Sequence, residues 1–303
     1  MSLPFPASIA DFQAVFPDDD ACREWLLACR WPDGFRCPVC GRREAWRRSS
    51  ARLVCQGCRR ETSITAGTAL HRSRLPLTIW FWSAYLVATQ PGMNARTLGR
   101  TLGIASHKTR WHVLERLRRS MGLLDFAPLE GVVEADEMAL GGFAPGKRGF
   151  AGDNKTTVLV LVQRGSPRTR LVIVPDRRGA TLVPAIERLV RPGSTMITDG
   201  HDGYLGLPAA GFAWTRIPHP RGGLARGAAN RATPAADGVT SRFKRWLLGT
   251  YNKPPADLAP YLAEFCFRTE FRDNAQAAFS TLLGLAMTTP PTDRPSLGLG
   301  RRQ

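Results

Sequence analysis

Two cysteine pairs constrain this chain more than any other feature: "CPVC" at Cys37 and Cys40, and "CQGC" at Cys55 and Cys58, with fourteen residues between them. Each C-x-x-C turn holds two thiolates within reach of one ion. Two such turns at the ends of a hairpin, here "AWRRSSARLV" at 45–54, close a tetrahedral zinc site. A redox C-x-x-C would stand as a single pair beside a βαβ unit, and it leaves the second pair unexplained. Four cysteine ligands leave no open coordination position, so a structural Zn2+ on Cys37, Cys40, Cys55 and Cys58 supplies folding energy rather than catalysis. Cys22, Cys29 and Cys266 have no partner at ligand spacing and read as buried, inert thiols.

Eight arginines lie between Arg36 and Arg60, around these pairs. Over 303 residues Lys and Arg outnumber Asp and Glu by 42 to 25, leaving a formal charge of +17. Solubility alone does not require that surplus, and nucleic acid is the expected partner, bound with strong salt dependence. A generic basic surface from an arginine-favouring genome is the alternative. The longest apolar run, residues 75–89, is too short to span a bilayer and reads as a buried helix, so no membrane partner is expected. The N-terminal residues lack a basic region followed by an apolar core, which makes the cytoplasm the expected compartment.

Five segments follow from composition and punctuation. Residues 1–35 form a helical lead-in, in which Phe12, Phe16, Trp25 and Leu26 recur at helical spacing. The zinc ribbon spans 36–74 and a basic helical region 75–122. An α/β region covers 130–287, and a Pro- and Gly-rich tail at 288–303 is expected to be disordered.

No acid occurs from Thr62 to Leu114. Within that stretch "NARTLGRTLGIASHKTRWHVLERLRRSM" reads as helix, tight turn, helix, with Asn94 and Ser106 as N-caps. Such a helix-turn-helix sends the start of its second helix into the major groove, which nominates His107, Lys108 and Arg110 as DNA-facing residues. The alternative is a helical hairpin with a solvated basic face. Trp80, Phe81 and Trp82 read as core.

Beyond residue 130 the pattern is strand, strand, strand, helix, strand, an α/β domain. Asp136 lies inside the first of these strands, and Asp199 ends the fourth just before Gly200. A carboxylate in an apolar strand is costly unless its charge is compensated, and a divalent cation is one common compensation. Asp237 is the only acid between Asp202 and Asp257; Lys244 follows it by seven residues on a helical stretch, two turns later and on nearly the same face. Three carboxylates on two strands and a helix can hold two Mg2+ or Mn2+ ions for in-line phosphodiester displacement, with Lys244 gripping the DNA backbone. Glu134 and Glu137 flank Asp136, either supporting the site or standing as solvated strand charges. His201, Asp202 and His219 read as surface residues, His219 having some claim to a place near the site.

Taken together, "FPDDDACREWLLACRWPDGFRCPVCG", the second cysteine pair, "VVEADEMALGG", "VPDRRGATLVPAIERLVRPGSTMITDGHDGY" and "SRFKRWLLGTY" followed by "YLAEFCFR" resemble bacterial insertion-sequence transposases with an N-terminal zinc ribbon. The resemblance covers residues 8–275. It implies a ribonuclease H-like, DDE-type catalytic domain that hydrolyses one strand at the element's ends and joins the freed 3′ hydroxyl to target DNA. It matches Asp136 to the first catalytic acid, Asp199 to the second and Asp237 to the third, where the family usually carries glutamate. It also implies a dimer or higher assembly holding two DNA ends in the bacterial nucleoid. The alternatives are a decayed or domesticated DNA-binding relative and a hydrolytic nuclease of the same fold.

Overall fold

A computed structural model of the chain describes residue 6 and residues 8–48, 52–141, 150, 155–217, 233–251 and 257–291. It divides into two units, residues 1–124 with 273–303, and residues 125–272.

The first unit opens with two capped helices. Ser8 and Asp11 form a capping box at α1 (Ile9–Val15), and Asp18 accepts from the Ala21 amide at the start of α2 (Asp19–Arg30). Strands β1 (Ala45–Arg47), β2 (Arg52–Cys55) and β3 (Glu61–Ser63) pair antiparallel in that order. Residues 49–51, in the middle of the expected hairpin, lie outside the described residues. Helix α3 (Leu77–Thr89) is apolar on nearly every side and is accordingly buried, with Trp80 and Phe81 in the core. Two further helices follow, the short α4 (Ala95–Leu102) and the longer α5 (His107–Met121). Between them Gly103 takes the left-handed conformation (φ 68°) that ends α4 where a side chain would be strained.

The last helix, α9 (Ala275–Thr288), belongs to this first unit. Its Phe279 ring sits 5.9 Å from Phe16 and 6.1 Å from both Phe12 and Phe81, so it completes an aromatic core that α1 to α3 leave open. Burial of rings this size is worth roughly 2 kcal/mol each. The boundary at 287 read from the sequence therefore differs from that of the compact unit, which ends at Arg272.

The second unit is a five-stranded mixed sheet built from β4 (Val132–Gly141), β5 (Lys155–Gln163), β6 (Thr169–Val174), β7 (Thr195–Thr198) and β8 (Ala213–Arg216). Its order is β6-β5-β4-β7-β8, with β5 antiparallel to both neighbours and β4, β7 and β8 parallel. Alternate residues supply two cores. Met138, Leu140, Val158 and Val160 pack with α7 (Pro234–Tyr251) and α8 (Ala259–Glu270), whereas Val133, Ala135, Leu159 and Leu161 pack with α6 (Gly179–Leu189). A sheet covered on both faces explains the near-continuous apolar runs of β4 and β5. This is the ribonuclease H-like arrangement implied by the resemblance. Among the described residues no helix is long and apolar enough to cross a membrane.

Candidate active site and zinc centre

The four cysteines converge as their spacing requires. Their Sγ atoms all lie within 4.8 Å of one another, with Cys37 3.6 Å from Cys58 and Cys40 3.5 Å from Cys55. A Zn–S bond near 2.3 Å puts tetrahedral sulfurs roughly 3.8 Å apart, so the cluster has the size of a zinc site. The backbone amide of Cys40 brings the Cys37 thiol down to about 6, which favours the thiolate that zinc binds. Around the cluster the arginines are partly committed: Arg48 and Arg52 both pair with Glu61, Arg47 pairs with Glu24, and Arg59 stacks 4.4 Å over the exposed Trp46 ring.

In the helix-turn-helix both expected caps form: Asn94 accepts from the Thr97 amide and Ser106 from the Thr109 amide. His107 and Lys108 stand exposed on the first turn of α5. Arg110 does not join them. Its side chain folds over Gly99, where an added Cβ would collide with it, and its guanidinium donates to the Ile104 carbonyl at 3.4 Å. The bare Gly99 surface makes that packing possible and diverts Arg110 into bracing the turn.

Asp136 sits on β4, Asp199 just past the end of the parallel neighbour β7, and Asp237 in the first turn of α7. The register pairs Ala135 with Thr198, so Asp136 and Asp199 follow at matching heights on adjacent strands. Helix α7 turns Ala236, Val239, Phe243 and Leu247 into the core and leaves Asp237 and Lys244 half-buried on the flank of that face. Burial, reinforced by the charges of Glu137, Asp199 and Asp237, lifts the Asp136 carboxyl from 3.8 to about 6. Asp136 is held by the Glu137 amide at 2.8 Å and the Thr233 hydroxyl at 3.3 Å, while the Thr233 carbonyl accepts from the Asp237 amide at 2.9 Å. Asp199 accepts from the His201 amide at 2.9 Å. Among the described residues the cysteines are the one group of three or more ligand side chains gathered closely enough to hold an ion, and the three aspartates do not form a second. Their hard oxygen donors, in a negative site partly removed from water, suit Mg2+ or Mn2+ rather than a soft metal.

Glu134 and Glu137 are not solvated strand charges: both side chains are completely buried and ion-paired. Their partners, Arg164, Arg177 and Tyr204, carry no local signal in the sequence, and neither does Thr233. An open hollow of about 610 Å³ adjoins the Asp199 loop, lined by residues that include Arg177, Arg178, His201 and Asp202 but none of the three aspartates. His219 lies outside the described residues.

Residues 128–270 match a family described as ISXO2-like transposase domain, and residues 17–61 match one described as transposase zinc-ribbon domain. The second match takes in α2 as well as the cysteines. Comparison with curated proteins gives no match.

Proposed function

Because the chain belongs to the insertion-sequence transposases that join a zinc ribbon to an ISXO2-like transposase domain, we propose that it cuts DNA at its element's ends and transfers the freed 3′ strand to a target. The observation that carries this reading is that Asp199 and Asp237, far from Asp136 in the chain, both come within its electrostatic reach on neighbouring elements of the second unit.

These carboxylates would hold the catalytic Mg2+ or Mn2+. Two bound cations supply the Lewis-acid chemistry of phosphodiester transfer, activating the attacking water or 3′ hydroxyl and stabilising the leaving oxygen. With its carboxyl raised to about 6, Asp136 is largely ionised at neutral pH and would bind a cation as the carboxylate. Lys244, on the same side of α7 as Asp237, grips a backbone phosphate beside the reacting bond. The ribbon arginines and the exposed His107 and Lys108 bind the terminal DNA largely through phosphates, and a dimer or higher assembly holds two ends together.

The test is a strand-transfer assay with the element's own terminal DNA and Mg2+. Joined products from the unaltered protein, absent with Asp199→Asn, support transposition. Nicked but never joined DNA would instead indicate a hydrolytic nuclease, and binding without cleavage a DNA-binding relative. Mass measurement of the DNA complex tests the assembly, and one protomer on paired ends would overturn it.

A further inference from the structure

We propose that the two glutamates flanking Asp136 are positioning residues: Glu134 fixes the helix that carries Asp237, and Glu137 fixes the loop that carries Asp199. The inference rests on reading the three aspartates as one metal site.

Neighbouring positions on a strand face opposite ways, so Glu134 shares the face of Asp136 while Glu137 points to the other. Neither carboxylate has any solvent exposure, and a buried charge persists only where it is paired and hydrogen-bonded. Glu134 Oε2 accepts from the amides of Ala235 at 2.7 Å and Ala236 at 3.0 Å, and its Oε1 from Arg164 Nε at 2.6 Å. Those two amides belong to the first turn of α7, whose N–H groups have no acceptor within the helix. Glu134 thus caps a helix 101 residues away, and the next residue after the two capped amides is Asp237.

Glu137 does the corresponding work on the opposite face. Its Oε1 accepts from the Tyr204 hydroxyl and its Oε2 from Arg177 Nε at 2.7 Å. Tyr204, fully buried, ends the short 3-10 turn Asp202–Tyr204 that follows Asp199 through Gly200 and His201. The four-residue segment Glu134-Ala135-Asp136-Glu137 therefore presents one acid and ties down the two elements that carry the others.

Glu134→Gln keeps the shape of the side chain and weakens its grip on the α7 amides. Tyr204→Phe deletes only the hydroxyl that Glu137 holds. Hydrogen exchange on the metal-free full-length protein should show the Ala235 and Ala236 amides exchanging about tenfold faster in Glu134→Gln, with residues 199–204 unchanged. Tyr204→Phe should show the converse. Titration with Mn2+ followed by electron paramagnetic resonance should give about tenfold weaker binding in each variant, and cleavage should lose kcat with little change in KM for DNA.

Exchange that rises equally across the whole sheet, or Mn2+ binding that matches the unaltered protein, would overturn the proposal. If the unaltered protein neither binds Mn2+ nor cleaves DNA, the functional reading fails. The exchange pattern still decides whether each glutamate holds its own element.

Discussion

The ribbon collects four thiols from residues 37 to 58 and brings every sulfur within 4.8 Å of the rest, whereas the second unit draws its three carboxylates from residues 136 to 237 and, among the described residues, forms no such cluster. The two settings also push ionisation in opposite directions toward the same value. The Cys40 amide brings the Cys37 thiol down from 9.0 to about 6; burial among other acids lifts the Asp136 carboxyl from 3.8 to about 6. The ribbon readily ionises Cys37 while the neighbouring thiols push Cys58 up to about 11, so without a metal it welcomes a first anion and resists a further one; the acid site only tolerates an anion. A metal is part of the ribbon's fold, while the acids are held by the protein around them, and burial beside other acids makes Asp136 harder to ionise.

Removing zinc should break the comparison most severely. A structural site of this kind contributes about 10–16 kcal/mol of apparent binding energy that is also folding energy. A strong chelator, or Cys40→Ser, should therefore unfold the ribbon and abolish specific end binding in a mobility-shift assay. The second unit should retain its thermal unfolding transition. Loss of both transitions would show that the acid site also depends on the zinc.

Neutralising an acid should come next. Asp136→Asn or Asp199→Asn should reduce DNA cleavage on the order of 10³-fold, the scale seen when one preorganised electrostatic group is removed, with end binding by the first unit intact. Undiminished cleavage in either variant would remove that residue from the site.

The contrast between the two sites also governs what can be read from the sequence. The ribbon's ligands lie close along the chain, so C-x-x-C spacing alone announces the metal. Asp136 and Asp199 are visible because each interrupts or ends an apolar strand, and Asp237 because it stands alone ahead of Lys244. What surrounds them is non-local: Glu134 meets Arg164 and Ala235, and Glu137 meets Tyr204, across 30, 101 and 67 residues. One signal was present. Glu134 shares its strand face with the apolar Met138 and Leu140, which places a second acid on a buried face and calls for a partner. Strand β8 is short and mostly exposed, and the apolar pattern of α9 says that it is buried without saying in which unit.

The ionisation of Asp136 yields a smaller and more selective effect. A carboxyl whose pKa is higher folded than unfolded binds its proton more tightly in the native state. That contribution is complete below about pH 4 and is lost as pH rises toward 6, costing roughly 3 kcal/mol above that window. Without added metal, Asp136→Asn should be more stable than the unaltered protein by up to that amount at pH 7.5 and equal to it at pH 4, as measured by denaturant unfolding. Equal stability at both pH values would show that the site has relaxed the strain by admitting water.

The smallest effect concerns neighbours that a sequence reading treats alike. Lys108 is exposed at the start of α5, while Arg110, two residues on, is folded over Gly99 against the Ile104 carbonyl. Lys108→Ala should weaken binding to terminal DNA several-fold and reduce the slope of log affinity against log salt by about 1, as expected for one lost phosphate contact. Arg110→Ala should leave the slope unchanged and cost about 1 kcal/mol of stability in the first unit, from the lost hydrogen bond and packing. Gly99→Ala separates the two roles further, because its methyl group must push Arg110 off its seat. Should that variant gain affinity and a steeper salt slope, the displaced guanidinium has reached phosphate, and its place over Gly99 is one of two positions it can hold.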